Sequence, residues 1–235
     1  VSTPTTPVAS GKKGPGETLE SSAHKTARSS SAVKQCQQRD RACVVTNVSG
    51  HLCDIAHLFP VYMQDSTSGV TKTFWKILKM FWTADRVKSW RDGVFEDPVG
   101  TEGQQNLIRF NPFVQRLHGK AYFALQFVAK NPLGSWLQLK FVWLRPNKPV
   151  GQFSLDRVPE LPESWDPAQQ EVGLMNVITK RPIESGDIIE LRTSDPDNLP
   201  LPDTRILELQ WIMNLVAAIS GAAEPKELED DSDED

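Results

Sequence analysis

Residues able to build a core are concentrated between about positions 33 and 223, and this confines the chain to one domain. The first thirty-odd residues, VSTPTTPVASGKKGPGETLESSAHKTARSSS, are mostly Ser, Thr, Pro, Gly and Lys with almost nothing to bury. Such a stretch cannot offset the entropy of ordering it, so residues 1–32 read as a disordered arm. At the other end EPKELEDDSDED carries eight carboxylates against Lys226, and residues 224–235 read as an acidic disordered tail. A 39% apolar composition over 235 residues supplies one good core and not two large ones.

The tail hides the charge of the body. The chain as a whole is −4 and the tail alone −7, which leaves the remainder at +3. A mildly basic body permits a phosphate-backbone partner without demanding one. Cys36, Cys43 and Cys53 are odd in number and include no CxxC pair, so they suggest neither a disulfide framework nor a zinc ribbon. They fit small buried thiols in a reducing compartment. No apolar run approaches the length of a membrane span, and the amino terminus lacks a signal-type apolar core. The expectation is an intracellular protein, cytoplasmic or nuclear, with no membrane partner.

The pattern between the ends mixes helix and strand. Ala32, Val33 and Cys36 share one side of a helix over about 31–41. ACVVT and HLCDIAH then read as two strands around a turn at Asn47–Gly50, a hairpin over about 42–57. TKTFWKILKMFWTADRVKSWRD (71–92) predicts one helix, with Phe74, Ile77, Leu78, Phe81 and Trp82 at helical spacing. Asn111-Pro112 is a good helix start, an N-cap followed by a first-turn proline. AYFALQFVA and WLQLKFVWL form a second hairpin across KNPLGS. A looser Pro-rich stretch (146–167) follows, then a turn at Glu184-Ser185-Gly186-Asp187 with a strand after it. A closing helix, TRILELQWIMNLVAAIS, is capped by Asp203 and ended by Gly221. The fold class is α+β.

Four histidines bound the possible chemistry. His24 lies in the arm and His51 at a strand start, and neither invites a role. His57 ends a strand just before the break at Pro60, a poor place for packing and a good one for presenting an imidazole. Asn106 opens the next element in GQQNLIRF, and His118 follows on or after a short helix. Phosphodiester cleavage needs a base for water and a cation for the developing charge. A neutral imidazole, with an ordinary pKa of about 6.5, can be that base.

The order His57, Asn106, His118, together with CVVTN…CDIAHLFP…FW…FW…W…QQNLIRF…KAYFALQFV, resembles the HNH (ββα-metal) nucleases. The likeness is to the branch of HNH-domain proteins found in fungi. The downstream ESGDIIELRTSDPDNLPLPDTRILELQWIMNLVAAISGAAE is similar to the segment those proteins carry, and the resemblance spans about 36–224. It implies a ββα-metal hairpin-plus-helix motif inside one larger domain over 33–223, with a second β-hairpin and a C-terminal helix. It also implies a metal-dependent endonuclease with His57 as general base and a divalent cation, Mg²⁺ first and Mn²⁺ or Zn²⁺ as alternatives. Asn106 would ligate the metal or fix the hairpin, with Asp54, Gln115 and His118 as further ligands. The partner is nucleic acid, DNA first, met by Arg41, Arg109, Arg116 and Lys120, with Arg39 beside them.

Two positions depart from the family pattern. Where many HNH proteins place a metal-holding carboxylate directly before the base, this chain has Ala56. Asp54, on the same strand face, is a substitute at best. The family's third His falls about nine positions after the Asn, which here is Gln115, with His118 one helical turn further on a similar face. These departures keep open a degenerate module that binds nucleic acid or a protein without cutting. A third alternative is an unrelated α+β scaffold in which His57 only packs. The helical aromatics Trp75, Trp82 and Trp90 read as core rather than as base-stacking platforms. Asp195 and Asp197 near Asn198 read as a proline-framed turn rather than a metal loop.

Overall fold

The structure is a computed structural model and describes residues 30–97, 99–144 and 172–220. Most of the expected arm, the Pro-rich stretch 146–167, the helix stop at Gly221 and the acidic tail lie outside these residues. The first helix, α1 (Ser30–Arg39), begins inside the expected arm, and Ala32 and Cys36 bury against Ile55 and Leu107.

The expected hairpin over 42–57 does not form. Its first strand is a turn: the Asn47 N–H bonds the Cys43 carbonyl at 2.9 Å, and Asn47 sits at φ 58°. Between Ala42 and Ser49 there is a single bridge. Cys43 and Val45 point into the core from this turn, which meets the burial demand that the β-branched run announced. The strand β1 (Asp54–His57) instead pairs antiparallel with β2 (Leu107–Phe110), in a register that sets His57 opposite Leu107 and Asp54 opposite Phe110. The 49 residues 58–106 separate them.

Most of that excursion is helical, in two pieces. In α2 (Gly69–Phe81), Ser68 caps the first turn by accepting from the Thr71 N–H at 3.2 Å. Trp82 is extended (φ −126°, ψ 155°), and α3 (Ala84–Phe95) starts after Thr83, so the single helix expected over 71–92 breaks there. Thr71, Trp75 and Leu78 are the buried face of α2. Ile77 and Phe81, expected on that face, are exposed, Phe81 at 71%. Trp75 and Trp90 are core residues, as the helical spacing suggested.

After β2 comes α4 (Pro112–Gly119), capped by the Asn111 side chain on the Val114 N–H at 2.9 Å. Its Val114 and Leu117 pack with Ala56, Ile108 and Phe110 in the main core. The second hairpin forms as expected from β3 (Phe123–Lys130) and β4 (Trp136–Trp143). A two-residue pair, β5 (Met175–Asn176) with β6 (Arg181–Pro182), follows, and β7 (Ile188–Arg192) then adds to β4. Strict alternation buries Leu137, Leu139, Phe141 and Trp143 on one face of β4. The closing helix α5 (Thr204–Ser220) covers that sheet, with Asp203 accepting from the Arg205 N–H at 2.7 Å as its cap. One core of buried residues runs from Cys43 to Ile212, in an α+β architecture.

Candidate functional site

The β1–β2 pair has two faces, and they separate the residues expected at the site. Alternation puts Asp54 and Ala56 with Ile108 and Phe110 on the side covered by α4. Ile55 and His57 share the other side with Leu107 and Arg109, and α1 covers Ile55 and Leu107. Asp54 is exposed.

Pairing brings His57 and Asn106 together. Leu58 N–H, one residue after His57, bonds the Asn106 carbonyl at 2.8 Å. The Asn106 amide is 2% exposed and fully engaged. Its Oδ1 accepts from the Phe59 N–H at 2.7 Å, and its Nδ2 donates to the Phe59 and Thr101 carbonyls at 2.9 and 2.8 Å. Of the two roles open to Asn106, this geometry serves the second: it fixes the loop that leaves β1.

The carboxylate that meets the His57 ring carries no signal in the sequence. Glu102 sits in the turn Gly100–Glu102, buried, with Oε1 3.3 Å from His57 Nε2. Gly100, at φ 57°, gives that turn a backbone that only glycine adopts freely. A lone carboxylate in VGTEGQQN carries no motif, and only the closure of the excursion aims it at the imidazole.

The other expected ligands do not gather here. His118 is clamped between the rings of Phe110 and Phe123, each centroid 5.3 Å away, and burial alone pushes its pKa down to about 4. An imidazole 7% exposed and packed between two phenyl rings is placed as a core side chain. Gln115, half-buried, is a neutral donor at most. Ala56 presents a methyl group toward α4. Among the described residues no three His, Cys, Asp or Glu side chains lie close enough to hold a cation.

The basic residues also divide. Arg109 is 8% exposed and turned inward, donating to the carbonyls of Gln37 (3.2 Å), Asp40 (2.8 Å) and Gly50. Arg39 is likewise internal. It forms a two-pronged pair with Asp40 at 2.8 Å and donates to the carbonyls of Leu107 (2.6 Å) and Pro200 (2.7 Å). Both arginines tie α1 to β2 through these buried bonds. Arg41 and Arg116 are exposed and Lys120 half-exposed, so these three remain available. Asp195 holds a turn, accepting from the Asn198 backbone at 3.0 Å and its side chain at 2.8 Å. Comparisons with family models, with curated proteins and with solved structures return no match.

Proposed function

We propose that this protein is an HNH-type module that binds nucleic acid and does not cut it. The family part of the reading is supported by element order, an antiparallel β1–β2 pair followed at once by a helix packed against it, with a histidine ending β1 and an asparagine preceding β2. The non-cutting part rests on one observation. Three of the positions to which the resemblance points for a cation are engaged in packing or structure, the Ala56 methyl, the Asn106 amide and the His118 ring, while Asp54 is exposed and Gln115 half-buried. A phosphodiester needs charge stabilisation at the leaving oxygen, and those three side chains are not placed to help supply it. Arg41, Arg116 and Lys120 are the cations beside the module left to meet a backbone.

A second reading, an endonuclease with His57 as base, is favoured by Glu102. A carboxylate 3.3 Å from Nε2 orients an imidazole as an acid–base group needs. Supercoiled plasmid incubated with the purified full chain in Mg²⁺, Mn²⁺ or EDTA separates the two, with a band shift run in parallel. We expect a shift and no nicking. Metal-dependent nicking that disappears in His57→Ala overturns the proposal in favour of the second reading.

A further inference from the structure

Between α2 and α3 the excursion opens a groove of about 570 Å³, and its walls are predominantly basic. Lys72, Lys76 and Lys79 line it from α2, and Lys88 and Arg91 from α3. All five are exposed. Asp85 is the one carboxylate in the lining, and Asp92 pairs with Lys88 from outside it. The floor is apolar and firm, made by Trp75 and Val87, both buried. Across residues 69–95 six basic side chains face two acidic ones, a local +4 in a chain of −4.

We infer that this groove is a binding site for the phosphate backbone of a nucleic acid strand. At a rise of 1.5 Å per residue, Lys72 to Lys79 covers about 10 Å of helix. A strand of B-DNA places a phosphate every 3.4 Å or so along its axis, so one wall matches about three nucleotides. Two facing rows of cations suit a linear polyanion better than a single carboxylate, which one row would saturate. The ligand class rests on the function proposed above, but the location does not: the groove lies in the helical excursion and shares no residue with β1, β2 or α4.

The test is fluorescence anisotropy of the full chain with a short labelled DNA duplex, titrated between about 50 and 200 mM salt. The variant Lys72→Gln/Lys76→Gln/Lys79→Gln removes one wall, and a thermal melt checks that these exposed changes leave the fold intact. We expect it to bind at least roughly tenfold more weakly at the low-salt end, with the salt slope smaller by roughly two to three, about one per lysine. Arg41→Gln/Arg116→Gln should lower the slope by less. A triple variant that binds like the parent while the arginine variant fails overturns the groove and leaves the function reading standing. A parent chain that binds no duplex overturns both. Displacement of the duplex by poly-glutamate at equal charge overturns the assignment in favour of an acidic protein partner.

Discussion

At the scale of single residues, buried polar groups carry the most testable content. Asn106 makes three side-chain hydrogen bonds inside a closed loop. Replacing it with Ala strands the Phe59 N–H and two carbonyls, and we expect a loss of roughly 2–4 kcal/mol in urea unfolding. Asn106→Asp should be worse, since a second oxygen would then face those carbonyls. A loss under about 0.5 kcal/mol would mean the loop is held by something else. His118 gives a pH signature. Its native pKa of about 4 lies below the ordinary 6.5, so the unfolded chain takes up a proton first as pH falls. The stability it confers is complete above about pH 6.5 and declines as pH falls toward 4, by about 3 kcal/mol in all. His118→Phe should flatten that limb of a stability–pH curve, and an unchanged limb would place its origin in another group.

At the scale of elements, glycine decides one junction. A Cβ on Gly50 would overlap the Arg41 carbonyl and the Arg109 guanidinium, and the first of these is backbone that cannot swing aside. Gly50→Ala should cost roughly 1–3 kcal/mol, read as a lower denaturation midpoint with an unchanged slope. This junction also shows why the first hairpin was misread. ACVVT has the β-branched composition of a strand, but its buried side chains are satisfied from a turn, and the true partner of β1 lies 49 residues downstream. Local pattern has no means of reporting that distance. Where pairing is local or a cap is present the sequence was legible: the β3–β4 hairpin, the Asn111-Pro112 start of α4, and Asp203 before α5. In the site His57 and Asn106 could be read from their order, whereas Glu102 and the inward turn of Arg109 depend on tertiary closure. The split of the 71–92 helix had a faint cue in Thr83, a helix-starting residue that the apolar spacing overrode.

At the scale of the whole molecule, the three thiols report how the protein opens. Cys36 is fully buried, and burial drives its pKa up to about 12, so it should resist alkylation until the structure unfolds. Cys53 is half-buried and should react first under native conditions, although burial also raises its pKa. Labelling followed by mass spectrometry checks the order, and early modification of Cys36 would reveal local opening of α1. The wide separation of β1 and β2 has a consequence in time as well. Closing a loop of 49 residues costs about 3 kcal/mol more chain entropy than a two-residue turn. Contacts that expensive to bring together form late, after the local β3–β4 hairpin and the α2–α3 pair have gathered the chain. Changes in the β1–β2 pair should therefore speed unfolding and leave the refolding rate nearly untouched. The candidate site would then be the last part of the molecule to assemble and the first to come apart.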